Sequence, residues 1–354
     1  MGKKQKPEEL EVGSGLVLVD KPAGWTSHDV VGRIRKLAGT RKVGHAGTLD
    51  PMATGVLVVG INRATRLLTH IVGVGKTYTA TVRLGQSTTT DDAEGEVLAT
   101  RFANAVTEER IAAAVAELTG EIQQVPSTVS AVKVDGRRAY DRARSGENVE
   151  LHARPVTVHR FDVLEIRRVD DGKIVDLDIE VRVSSGTYVR ALARDLGEAL
   201  DTAGHLTALR RTAVGPYSID QTMTLEQLGG VNEDGDFGYI GLAEAAAQLF
   251  PARRVSAEEA EHLRHGRRIT ASAGAEVIQP STFEPVAATT PSPAEVTPRR
   301  EGLTAAFGPD GELIALLRDI PAKPGASSSP DAAKAAVAGP AALQAKPELV
   351  FAAD

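Results

Sequence analysis

The sequence predicts an α+β protein centred on a mixed, mostly antiparallel β-sheet. Two observations carry this: segments with strand-like period-two alternation recur through residues 15 to 217, and amphipathic helical segments are interspersed among them.

The elements follow in order. Thr26 or Ser27 can cap a helix whose apolar face uses Val30, Val31, Ile34 and Leu37 and which ends near Gly39. The run Val56-Leu57-Val58-Val59 reads as a buried strand. Lys76 to Leu84 is a strand with Tyr78, Ala80, Val82 and Leu84 on one face and Thr77, Thr79, Thr81 and Arg83 on the other. Thr107 starts a helix with Ile111, Val115 and Leu118 on one stripe and Gly120 at its end. Ala131 to Val134 forms a strand before the turn signal Asp135-Gly136. Alternation is clearest over Val175, Leu177, Ile179, Val181 and Val183, and this strand leads through Ser185-Gly186 into a helix carrying Val189, Leu192, Leu196 and Leu200. In the last third, Ser256 to Leu263 is a short helix with a capping box at Ser256 and Glu259, and Gly311 to Leu317 is a strand. Ala271 to Arg300 and Ala322 to Ala345 are rich in small residues and proline and are expected to be disordered. The expected organisation is a flexible N-terminus over 1–14, one large domain over 15–245 and a small β-rich region over 246–354.

Composition narrows the function. The chain has 354 residues and no cysteine, which excludes disulfides, zinc–thiolate sites and thiol nucleophiles. No apolar run approaches a membrane span, and the charged N-terminus lacks a signal-peptide core, so a cytoplasmic protein with no membrane partner is expected. The net charge of −6 is unevenly spread. Residues 20–220 hold 27 Lys+Arg against 26 Asp+Glu, while residues 221–354 hold 11 against 18. Within the first domain, Lys133, Arg137, Arg138, Arg142 and Arg144 outnumber Asp135 and Asp141. This segment suits either a phosphate-binding patch or a solvated face.

The stretch Arg41 to Gly55 sets one carboxylate, Asp50, in a loop bounded by Gly44, Gly47 and Gly55 and stiffened by Pro51, just before the buried strand. By spacing alone it suits a nucleophile on a rigid element or an aspartate capping a hairpin turn. Two other motifs carry no cofactor. Gly75-Lys76-Thr77 imitates a phosphate loop, but His70 takes the required first glycine position and a strand follows. His262 and His265 lack a third convergent metal ligand.

GHAGTLDPMATGVLVV, residues 44–59, resembles the active-site motif of the TruB family of tRNA pseudouridine synthases. Four further stretches agree in order and spacing: Asp20 to Ser27, Lys76-Thr77-Tyr78 with Arg83-Leu84-Gly85, Ser184 to Arg190, and His205 to Arg211. The resemblance implies a pseudouridine synthase fold, a mixed sheet crossed by a cleft, with a PUA-like C-terminal module. It implies a cofactor-free isomerisation of the T-loop uridine at tRNA position 55, with the T-arm as partner, and the chain is expected to act as a monomer. Asp50 would be the nucleophile, attacking C1′ or base C6, and Arg190 would pair with it. Tyr78 would be the stacking platform and a candidate acceptor of the C5 proton. Leu209 would close the other side of the base, His45 would fill the space it vacates, and Asp92 would stand near the site. Residues 133–154 would form a thumb loop clamping RNA, with Arg137, Arg138, Arg142 and Arg144 on phosphates, while Asp20 and Lys21 would shape the fold. Two other readings remain at this level: a tRNA-binding chaperone with no needed chemistry, and a synthase of the same mechanism acting on other RNAs.

Overall fold

The computed structural model describes residues 12–127, 133–134, 137–138, 151–230, 238–270, 277–278, 301–321 and 343–351. A ten-stranded sheet forms the larger part. Its main path uses β1 (Gly15–Lys21), β3 (Thr54–Ile61), β4 (Lys76–Leu84), β7 (Gly120–Gln124), β10 (Arg154–Val169), β11 (Ile174–Val183), β12 (Gly204–Val214) and β14 (Ile240–Gly241), in the order β14-β1-β3-β12-β4-β11-β10-β7. The strands β2 (Val43–Ala46) and β13 (Tyr217–Ser218) add to β3 and β12 respectively. Every pairing is antiparallel except β3 with β12, as a mixed sheet requires.

That parallel contact is short: Thr54 opposes Arg210 and Gly55 opposes Arg211. Gly55 is needed there, since its φ is +98° and an added Cβ would stand 2.2 Å from the Arg211 carbonyl oxygen. The expected alternation holds on β4, whose buried face carries Lys76, Tyr78, Ala80, Val82 and Leu84. Thr26 is the N-cap of the helix Ser27–Leu37, with a full capping box to Asp29. The helix Val189–Ala199 has no side-chain cap of its own; the buried amide of Gln124 exchanges two hydrogen bonds with the backbone of Tyr188 instead. The strands β8 (Lys133–Val134) and β9 (Arg137–Arg138) pair antiparallel, and the turn expected at Asp135-Gly136 lies outside the described residues.

A second sheet of six strands fills the C-terminal part: β15 (Ala252–Arg254), β16 (Ile269–Thr270), β17 (Val277–Ile278), β18 (Leu303–Phe307), β19 (Leu313–Pro321) and β20 (Leu343–Val350), in the order β16-β20-β19-β18-β15-β17. This sheet takes in a few residues of the two segments expected to be disordered. Val277 and Ile278 pair with Arg253 and Ala252, and β20 begins at Leu343, inside the segment expected to end at Ala345. The reason is burial: Ala345 is fully enclosed between β16 and β19, so a residue whose surroundings looked like a low-complexity tail becomes core. The remainder of both segments lies outside the described residues. The helix Leu242–Leu249 runs through the expected boundary at 245, and its Ala245, Ala246 and Leu249 share one cluster with Leu16 and Val58 of the first sheet and Leu303 and Leu316 of the second.

Lys76 is the exception on its apolar face. Its Nζ donates to Val72 O at 3.0 Å and Val74 O at 2.8 Å, and burial, with Arg211 nearby, lowers its pKa from 10.5 to about 7. The folded protein therefore releases this proton before the unfolded chain does. The stability penalty is complete below pH 7 and is relieved as pH rises toward 10.5. Thermal unfolding of the wild type and Lys76→Met should show the wild type gaining on the variant between pH 7 and 10; a pH-independent difference would count against a depressed pKa.

Candidate functional site

Three chain segments bring their polar groups to one point. Asp50 stands on the loop between β2 and β3, Asp92 on the loop after β5 (Gln86–Thr88), and Arg190 on the first turn of the helix Val189–Ala199. Arg190 is only 4% exposed. Its Nη2 lies 3.0 Å from Asp50 Oδ2, its Nε lies 3.5 Å from Asp92 Oδ2, and its Nη1 donates to Thr90 O at 2.8 Å. Asp92 is as buried as the arginine and also accepts from the Thr90 hydroxyl and from Glu94 N. The Asp50 side chain keeps 39% of its surface open. Burial of its surroundings pushes its pKa up, Arg190 opposes this, and the Asp92 charge adds to the rise. Glu94 is raised for the same reasons, first burial and then Asp92 and Asp50.

The loop bearing Asp50 is tied on both flanks. Ser27 Oγ accepts from Leu49 N at 2.9 Å and donates to Leu49 O at 3.1 Å. The fully buried Lys21 ammonium donates to Pro22 O, Trp25 O and Pro51 O at 2.9, 2.6 and 3.2 Å. Burial lowers the Lys21 pKa to about 8 against the pull of Asp50. Lys21 thus shapes the fold, as expected, and does so beside the site.

Tyr78 and Leu209 lie on the neighbouring strands β4 and β12, each 8% exposed, in one apolar cluster with Leu49 and Ala53. Leu209 also lines a cleft of about 480 Å³ with Met52, Thr54, Thr81, Leu164 and Arg210. Leu164, 60% exposed, occupies the bulge where the β10–β11 register shifts between Val163 and Glu165. Arg210 reaches this cleft while paired with Asp20 through both oxygens, at 3.0 and 2.8 Å. His45, on β2, meets His28 edge to face at 5.6 Å. Its buried Nδ1 has no hydrogen-bond partner among the described residues, and burial, His28 and Arg211 lower its pKa to about 4, so the ring is neutral at neutral pH. A larger hollow of about 580 Å³, between Arg66, His70, Arg318 and Leu349, holds none of the expected site residues.

Of the expected set, Asp50, Asp92 and Arg190 are therefore in direct contact, and Tyr78 and Leu209 pack together beside them. Arg137 and Arg138 are described only as backbone of β9, and Arg142 and Arg144 lie outside the described residues. Sequence reasoning assigned no role to Lys76 or Arg211, although the period-two pattern of β4 already placed Lys76 on the apolar face.

Comparison with known proteins bears on the family. Residues 35–189 match the TruB family pseudouridylate synthase N-terminal domain, and residues 190–236 match the tRNA pseudouridylate synthase B C-terminal domain. A protein of Arthrobacter sp. (strain FB24) named tRNA pseudouridine synthase B is 63% identical over 86% of this chain and 93% of its own length. One of the same name from Paenarthrobacter aurescens (strain TC1) is 61% identical over 86% and 91%. Among solved structures, a chain of an H/ACA RNP bound to a substrate RNA containing 2′-deoxyuridine aligns with a TM-score of 0.63 at 25% identity, covering 99% of this chain and 89% of that one. With both family domains matched in order and relatives this similar along most of its length, the chain belongs to the TruB family of pseudouridine synthases.

Proposed function

We propose that this chain isomerises the T-loop uridine at tRNA position 55 to pseudouridine, acting as a cytoplasmic monomer on the T-arm, with Asp50 as nucleophile. The observation that carries the reading is the buried Arg190 guanidinium, which holds a partly open Asp50 carboxylate beside the cluster containing Tyr78 and Leu209. The similarity to proteins named tRNA pseudouridine synthase B supports tRNA as the substrate.

The reaction breaks the C1′–N1 bond, turns the base and joins C1′ to C5, and the C5 hydrogen leaves as a proton while N1 regains one. Nothing is oxidised or reduced, so no cofactor is required. Attack by Asp50, at C1′ or at base C6, needs its charged form. Arg190 favours that form and fixes its direction through a forked cation. Tyr78 would bear the flipped base and receive its C5 proton, Leu209 would close the opposite side, and neutral His45 would occupy the space left by the base. Flipping costs a few kcal/mol and stacking on one aromatic returns about 1–3, so phosphate contacts must supply the rest.

Pseudouridine mapping of an unmodified tRNA transcript after incubation with the protein should show modification at position 55 alone; modification elsewhere, or none, overturns the assignment. Asp50→Asn should form no product while keeping tRNA affinity within a small factor. Arg190→Lys should lose about 100-fold in single-turnover rate, since a point charge cannot reproduce a two-pronged hold. A near-normal rate would make Arg190 a bystander.

The pH dependence carries a sign. Because burial raises the Asp50 pKa, activity should fall on acidification at a higher pH than an ordinary aspartate would give. Asp92→Asn removes a neighbouring negative charge and should move that limb to lower pH even as the rate drops. A limb that stays in place would exclude Asp50 as the titrating group.

If Arg137, Arg138, Arg142 and Arg144 bind phosphates, replacing two of them with Ala should weaken binding to all RNA sequences alike. It should also flatten the slope of log affinity against log salt by about 0.7 per lost contact on single strands. An unchanged slope with normal affinity would make the segment a solvated face.

A further inference from the structure

Arg211 is among the largest fully buried side chains of the protein, 1% exposed. Its two hydrogen bonds go to backbone carbonyls: Nε donates to Val56 O at 2.8 Å and Nη2 to Gly47 O at 2.9 Å. These carbonyls stand on either side of Asp50, three residues before it and six after. The guanidinium therefore spans the mouth of the loop. The packing beneath is close, for a Cβ on Gly47, whose φ is +77°, would stand 3.4 Å from both Arg211 Nη1 and Lys76 Cε.

The place of Arg211 in the sheet gives this contact its meaning. Its Cα is opposite Gly55 of β3 on one side and opposite Tyr78 of β4 on the other. Leu209 is two residues earlier on the same strand. Ser27 and Lys21 hold the loop to the N-terminal part of the chain, whereas Arg211 holds it to the strand pair bearing Tyr78 and Leu209. We infer that Arg211 is a positioning residue for the isomerisation: by binding the Gly47 and Val56 carbonyls together it sets the Asp50 carboxylate in register with the wall against which the base is held. The inference rests on Asp50 being the nucleophile.

A planar fork can meet two carbonyls at once, and a single ammonium on a flexible stem cannot hold both in the same geometry. With a saturating, unmodified T-arm hairpin RNA, Arg211→Lys should lose roughly 10- to 100-fold in kcat while KM stays within about threefold, because misplacing a reacting group acts on the chemical step. Methylguanidinium added to Arg211→Ala should restore part of the turnover and should do nothing for Asp50→Asn. A second signature is electrostatic: Arg211 is one of the groups that lowers the His45 pKa, so in Arg211→Ala the imidazole resonance of His45 should titrate above its wild-type position near pH 4.

A folded Arg211→Lys protein with kcat within twofold of wild type overturns the inference, and so does a loss confined to KM. If neither variant folds, hydrogen exchange at the Arg211 Nε of the wild type decides. That proton should exchange at least about tenfold more slowly than those of exposed arginines, and equal rates overturn the inference. Product from Asp50→Asn would instead bring down the assignment of the nucleophile, whichever way the Arg211 variants behave.

Discussion

A guanidinium that is almost wholly removed from water has to be neutralised and hydrogen-bonded where it stands, and Arg190 is the group on which the site depends. Its compensation is drawn from two loops far apart in sequence, that of Asp50 and that of Thr90 and Asp92. The two carboxylates are unequal partners. Asp92 is buried, fixed by Thr90 and by the Glu94 backbone, and belongs to a turn whose Asp91 adopts a left-handed φ of +58° and accepts from Leu206 N. Asp50 keeps part of its surface open. The inner partner stabilises the cation, and the cation then presents an arm to the outer one, so the Asp50 carboxylate is oriented without being enclosed.

The same logic appears in reverse beneath the Asp50 loop, where Lys21, Lys76 and Arg211 are buried against backbone carbonyls. Carbonyl dipoles satisfy their donors but neutralise no charge, which is why burial pulls the Lys21 and Lys76 pKa values down to about 8 and 7. Their closeness has a use. Burial, His28 and Arg211 keep His45 neutral, so its ring offers an aromatic surface without adding a further positive charge.

Local pattern made much of the fold legible. The alternation of β4 and β11 appears with the faces that period two assigns, and the capping signals at Thr26 and Ser256 mark helix starts. The convergence of Asp50, Asp92 and Arg190 was legible only through the family motifs, because no local period connects residues so far apart. Two kinds of feature escaped. One is the parallel contact of β3 with β12, which consists of two residue pairs and has no sequence signature beyond Gly55. The other is burial that contradicts composition: Arg211 and Lys76 are charged yet enclosed, and Ala345 closes a core from within an alanine-rich stretch. In each case the partner across the contact decides, and the partner is distant in the chain.

The short β3–β12 contact joins two rigid parts with different tasks. Strands β4 and β12 pair over most of their length and carry the apolar wall, Tyr78 and Leu209; β3 pairs with β1 from Gly55 to Ile61 and follows the Asp50 loop. The Asp50 loop and the wall are thus held by different strand pairs, which meet through the Thr54–Arg210 and Gly55–Arg211 pairs and the Arg210–Asp20 ion pair. This separates the demands on the protein. Affinity for a polyanion can come from basic residues dispersed over the near-neutral first domain, far from the acidic excess of 221–354. With Asp50 as the proposed nucleophile, rate would depend on the seam, where an error of an ångström costs more than the loss of a surface charge.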